Sequence, residues 1–175
     1  MRTVIVTPLF PPDTAPAAAY SKELARRMCA SGAEVTVLLY GHLPESVPGA
    51  TLIPIDKRRS APLRLIAFTW KLVATLRSSD HCLAINGPST ELPLLFASYL
   101  TRTPFTLIVC DTPAAARWYR FLHQRLRARA ARVITADAHD YLRPEIMPLE
   151  ARPVAALAHY DTLWQHHCQD LTTPV

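Results

Sequence analysis

Three sets of residues carry side chains capable of chemistry, and each set points to a different kind. Near the carboxyl end stand His159, His166, His167 and Cys168, all metal-ligand types. On a helix, residues 159 and 166 lie about two turns apart while 167 and 168 point elsewhere, so no tetrahedral set follows and no metal is expected. Between Pro113 and Arg132 lie six arginines, at 117, 120, 125, 127, 129 and 132, with no acid among them. Their charge exceeds the chain's net +5, so the remainder is close to neutral and an electrostatic partner meets this one segment. A solvated surface helix, an anionic membrane surface and an acidic partner protein all fit such a segment. No nucleic-acid-binding motif accompanies it, and nucleic acid is not expected as a partner.

The third set consists of polar residues that follow short apolar runs: Asp13-Thr14, Asn86-Gly87 with Ser89, Asp111-Thr112, and Asp137 to His139. Other chemistries are excluded by composition. The chain has four glycines, Gly32, Gly41, Gly49 and Gly87, too scattered for either the dinucleotide fingerprint or the phosphate loop. No G-x-S-x-G elbow occurs, and Ser60, Ser78 and Ser79 have no triad context. Cys29, Cys82, Cys110 and Cys168 are far apart with no C-x-x-C pair, which suits free thiols. The opening Met-Arg-Thr leads directly into a strand-like run, so a cytoplasmic setting is expected. The longest apolar stretch, Leu63 to Leu76, is interrupted by Arg64 and Lys71 and is too short to span a bilayer.

The elements that must position these residues alternate in type. With 175 residues, half of them apolar and 19% charged, the chain can bury a full core. Apolar runs at Thr3–Thr7, Glu34–Tyr40, Thr51–Ile55, His81–Asn86, Phe105–Cys110 and Arg132–Ala136 predict six strands. Pro54 places the third at an edge, because proline cannot donate to a ladder. Helical spacing predicts helices over Pro16–Ser31, Leu63–Arg77, Ser89–Leu100 and Pro113–Arg129, and a last one over Val154–Cys168. The first carries an apolar stripe of Ala17, Tyr20, Leu24 and Met28, the fourth one of Trp118, Leu122 and Leu126. The second helix, with Trp70 among apolar residues and Arg64, Lys71 and Arg77, is expected to cover the sheet, or else to join the basic helix in meeting a membrane.

Strand–helix alternation with all-apolar strands implies an α/β fold, a Rossmann-like doubly wound and mainly parallel sheet flanked by helices. Residues 1–145 are expected to form this domain and 146–175 a tail with one helix. Ligands of such sheets bind outside the carboxyl ends of the strands, which is where the third set of polar residues lies.

The run R-T-V-I-V-T-P-L-F-P-P-D-T-A-P-A-A-A-Y-S-K-E-L-A-R-R-M-C-A-S-G-A-E-V-T-V-L resembles the start of a glycosyltransferase family 4-like N-terminal domain, one half of the GT-B fold. Leu83–Ser89, Thr103–Asp111 and Ala131–Ala136 agree with that family in order and spacing, so the resemblance covers about Met1 to Leu142. It implies an acceptor-binding half of an enzyme that moves a sugar from a nucleotide sugar to a glycan or glycolipid hydroxyl. By the resemblance, Asp13, Thr14, Ala15 and Ala17 line the cleft, and Asn86, Gly87 and Ser89 face acceptor hydroxyls. Helix capping by Asp13 and Thr14, and a turn role for Asn86-Gly87, are equally open. Asp111 stands as the acid/base or sugar-hydroxyl ligand, or as a loop acid beside Thr112 capping the basic helix from Pro113.

The chain departs from the family at Ala15-Pro16-Ala17, where a glycine pair is usual, and at Cys110, where a histidine is usual. The nucleotide sugar is implied as donor substrate held mainly by a second domain, with no resident cofactor. That domain has no room in 175 residues, so a donor-binding glycosyltransferase partner is expected. The arginines Arg117, Arg120, Arg125, Arg127 and Arg129 are expected to meet this partner or a membrane, placing the protein peripherally at the inner face. Two other readings stay open: a non-catalytic scaffold that recruits an enzyme to a membrane, and a flavodoxin-like module.

Overall fold

The computed structural model describes residues 1–58, 60–110, 116–136, 141 and 154–172, with side chains of the last stretch from residue 160 onward. Six strands form one sheet: β1 (Arg2–Thr7), β2 (Glu34–Tyr40), β3 (Ala50–Ile55), β4 (His81–Ile85), β5 (Phe105–Val109) and β6 (Arg132–Thr135). Every pairing is parallel, and the order is β3-β2-β1-β4-β5-β6. β3 lies at the edge, where Pro54 pairs in register with Leu39. Five helices complete the described chain: α1 (Pro16–Ala30), α2 (Ala61–Leu76), α3 (Pro88–Leu100), α4 (Arg117–Arg129) and α5 (Val154–Thr172).

The strands are apolar throughout because both faces of the sheet are covered. Ile5, Val37, Leu83 and Ile108 face α1 and α5, while Val4, Leu38, Ala84 and Leu107 face α2, α3 and α4. The alternation is that of the pleat, and every one of these side chains is buried. The expected stripe on α1 is inside: Ala17, Tyr20, Leu24 and Met28 are all buried.

Two apolar expectations differ. Trp70 is 70% exposed and Trp118 60% exposed, so neither covers the sheet. On α4 the inward stripe is Tyr119, Leu122, His123 and Leu126, one residue around the helix from the expected start. Tyr119 and His123 both hydrogen-bond a buried carboxylate across the helix interface, described below, and that holds them inward. α4 begins at Arg117 with Ala116 as its N-cap and no side-chain cap, and Thr112 and Pro113 lie outside the described residues.

Pro93 sits inside α3, where it can donate no bond to the carbonyl four residues before it. That carbonyl belongs to Ser89, and the Tyr40 hydroxyl donates to it at 2.9 Å. Burial pushes the Tyr40 phenol up to about 12, so the hydroxyl keeps its proton and remains a donor. A helix break is thereby repaired from the end of β2.

α5 docks on α1 through rings. Tyr20 stacks on Trp164 at 5.5 Å, and Tyr141 meets Trp164 edge-on at 5.1 Å. The Tyr20 hydroxyl and His167 Nε2 lie 2.6 Å apart, and the Tyr141 hydroxyl lies 3.2 Å from Nδ1. At the rim Arg27 links Glu23 at 2.6 Å to Asp161 at 2.7 Å and lies over the Trp164 ring. Both ring nitrogens of His167 are thus engaged inside the protein. Its hydrogen-bond partners are phenols, and burial lowers its pKa to about 4, with the Asp170 charge acting in the opposite direction.

An imidazole held neutral in the fold but free to protonate when unfolded makes acid destabilising. Its contribution is fully present above the unfolded pKa near 6.5 and disappears as pH falls toward 4. From pH 7 to pH 5 the loss is about 2 kcal/mol. His81, also lowered by burial, adds to the same slope, so the comparison that isolates His167 is with a variant. Urea unfolding should show the midpoint falling between pH 7 and pH 5, and His167→Gln should flatten that fall by about 2 kcal/mol.

Candidate functional site

β1 and β4 are adjacent and parallel, yet the helices that follow them leave toward opposite faces of the sheet, α1 to one and α3 to the other. The chain order reverses at this pair, and a crevice opens outside their carboxyl ends. One wall is the loop Pro8–Ala15 and the other is Asn86-Gly87 leading into α3.

The two walls touch. A Cβ on Gly87 would stand 2.9 Å from Pro8 Cγ, and the backbone there has φ +157°, a conformation that favours glycine. Gly87 is the N-cap of α3, and its carbonyl accepts from the N–H groups of Thr90 and Glu91 at 3.0 and 2.8 Å. Asn86 is buried and ties the neighbouring tips together: its Oδ1 accepts the Cys110 N–H at 2.9 Å. The half-buried Cys110 packs against the α1–α5 side of the core. Ser89 is half-buried, with its carbonyl taken by Tyr40.

On the opposite wall, Ala15 is the N-cap of α1 with Pro16 at the first helical position, and no side chain caps the helix. Asp13 and Thr14 therefore do not cap it. Asp13 instead pairs with Lys57 at 2.7 Å, while Thr14 is exposed and Ala17 is buried in the first turn. The loop is anchored from beneath: the Thr7 hydroxyl donates to the Leu9 carbonyl at 2.6 Å and meets Ser21 Oγ at 2.9 Å. Beside it a cavity of 290 Å³ is lined by Phe10, Asp13, His42, Leu43 and Lys57, among others. A groove of 460 Å³ between α1 and α5 lies on the side of the sheet, away from the strand tips.

Asp111 and the segment Asp137 to His139 lie outside the described residues, as does the side chain of His159. Arg117, Arg120, Arg125 and Arg127 are exposed on α4, which packs against α3. Arg129 differs from them. Its Nη2 donates to the Ser98 carbonyl at 2.8 Å, its Nε to Ser98 Oγ at 3.0 Å, and it lies 4.0 Å over Tyr99. It closes the end of α3.

Behind the Gly87 wall is a polar cluster that the sequence pattern did not single out. Glu91 is 1% exposed, and its carboxylate accepts from the Gly87 N–H at 3.3 Å and the Tyr119 hydroxyl at 2.8 Å. His123 Nδ1 lies 3.0 and 3.1 Å from its two oxygens, and because a carboxylate only accepts, this nitrogen carries the proton. Nε2 of the same ring is buried with no hydrogen-bond partner among the described residues. The one legible signal was the i, i+4 spacing of Tyr119 and His123, next to a glutamate four residues after Gly87.

A family model for the glycosyl transferase 4-like domain matches residues 17–143. The chain belongs to this family. Among curated proteins no sequence matches it. Solved structures share its fold. A UDP-N-acetylglucosamine 2-epimerase aligns with TM-score 0.58 and 13% identity over 86% of this chain and 46% of its own. HepE of Anabaena, solved with UDP and glucose, aligns at 0.57 and 14% identity over 76% of this chain and 37% of its own. MnaA of S. aureus, solved with UDP, aligns at 0.53 and 14% identity over 86% and 42%. At these identities the likeness is one of fold. This family member spans less than half the length of each of the three.

Deleting the Glu91 carboxylate would take away the acceptor that the Gly87 N–H, the Tyr119 hydroxyl and the His123 Nδ1–H share inside the protein. Glu91→Ala should therefore lower stability by about 3 kcal/mol, and Glu91→Gln, which keeps one acceptor, by clearly less. Gly87→Ala, which drives a methyl group into the Pro8 ring, should cost about 2 kcal/mol. Urea denaturation of the three variants checks both statements.

Proposed function

We propose that this chain is the acceptor-side half of a glycosyltransfer site and that a second domain or subunit binds most of the nucleotide sugar. The observation that supports it best is the coincidence of three facts. The family match covers residues 17–143, the strand order reverses at β1/β4, and the Asp13–Ala17 and Asn86–Ser89 segments flank that reversal. Two fold relatives were solved with UDP, in keeping with a nucleotide-sugar donor.

In the reaction, an acceptor hydroxyl forms a bond to the anomeric carbon while the bond from that carbon to the nucleoside diphosphate breaks. Asp111, which follows β5, takes the proton released by the hydroxyl. Acceptor hydroxyls meet Ser89, the Asp13 carboxylate and the start of α1. Pro16 supplies no N–H there, so a phosphate is held less well than a neutral sugar.

A second reading, a subunit that keeps the fold without the chemistry, is favoured by Cys110, whose side chain packs against the core where the resemblance expects an imidazole. One assay separates the two. The chain alone should release no nucleoside diphosphate from a nucleotide sugar. The chain together with the donor-binding protein that co-purifies with it should transfer sugar. Asp111→Ala should lower that transfer about 100-fold or more while leaving the unfolding curve unchanged. Transfer by the chain alone would remove the partner requirement, and full activity of Asp111→Ala would remove the role of the carboxylate.

A further inference from the structure

We propose that the outer face of α2, α3 and α4 is a docking surface for an anionic lipid bilayer. These helices lie side by side on one face of the sheet, α3 between the other two. Among the described residues, all the exposed large apolar side chains except Met1 and Leu43 stand on them. Ile66 and Trp70 project from α2, Phe96 and Tyr99 from α3, Trp118 and Phe121 from α4, each between 55% and 70% exposed. So much exposed aromatic and aliphatic surface on one side marks an interaction site.

The charge on this face has one sign. Arg117, Arg120, Arg125 and Arg127 are exposed on α4, and Lys71 on α2. The only acid in the three helices is Glu91, which is buried and paired with Tyr119 and His123. A second copy of the chain would bring the same cations against these, so like charge opposes a symmetric dimer through this face. An anionic bilayer supplies both complements at once: headgroup phosphates for the guanidinium groups, and an apolar boundary for rings that protrude from the helix ridges. Arg125 lies 5.0 Å over the Phe121 ring, so the cation and its aromatic neighbour enter the interface together. Arg129 is held by Ser98 and takes no part.

The proposal does not depend on the transferase reading, and vesicle sedimentation of the full chain tests it without any activity. The chain should pellet with vesicles of phosphatidylcholine mixed with phosphatidylglycerol, more weakly as salt is raised and hardly at all with phosphatidylcholine alone. Tryptophan emission should shift to the blue on binding, through Trp70 and Trp118, since Trp164 is already buried. Replacing Arg117, Arg120, Arg125 and Arg127 by Gln should lower partitioning roughly 600-fold, at about five-fold per arginine. Trp70→Ser with Phe96→Ser and Trp118→Ser should abolish the remaining blue shift and lower binding at least about ten-fold. All these positions are exposed, so circular dichroism should be unchanged.

Failure to bind anionic vesicles at low salt overturns the proposal. So does binding that survives either set of substitutions unaltered. Concentration-dependent dimerisation without lipid, lost in the aromatic variant, would assign the face to protein contact instead.

Discussion

The structure depends on a divergence at its centre. β1 and β4 share a ladder, but the chain leaves β1 toward one face and β4 toward the other. Between two such exits no helix can close over the strand ends, so a crevice is a geometric consequence of the topology and not an added feature. The two exits must nevertheless pass each other in contact. Gly87 permits this, because any side chain there would enter the Pro8 ring.

The divergence also gives the sheet two unlike coats. On the α1–α5 side the outermost layer is closed by rings, with Tyr20, Tyr141, Trp164 and His167 in mutual contact. Its rim is neutralised by Glu23, Arg27 and Asp161. Burial alone would raise the Glu23 carboxyl, but hydrogen bonds from Arg26 and Arg27 outweigh it and lower its pKa. On the α2–α4 side the polar order is reversed. The buried interface between α3 and α4 holds the Glu91 cluster, while large apolar groups are left outside.

Several polar residues at the strand tips have structural work as well. Asn86 holds β4 to β5, Ser89 offers Tyr40 the carbonyl that Pro93 leaves open, and Asp13 bridges to Lys57. The rim is thus already linked by hydrogen bonds, and among the described residues the Asp13–Lys57 pair is one open enough to exchange its partner readily.

The parallel α/β sheet, the edge position of β3 and the loops that flank the crevice were all legible in the residues. Continuous apolar runs such as Thr-Val-Ile-Val-Thr need cover on both faces, and Pro54 excludes a central strand. Local periodicity could not say which of two neighbouring residues on a helix turns inward. Trp118 is the more apolar choice, yet Tyr119 is buried, because its hydroxyl satisfies a carboxylate 28 residues away in sequence. Trp70 is outside for want of anything beyond α2 to cover it among the described residues, and His167 is inside because two tyrosine hydroxyls receive its nitrogens. Pattern and propensity are local quantities, and they decided the elements and their order. Which polar groups are buried is settled by partners that only folding brings within hydrogen-bonding distance.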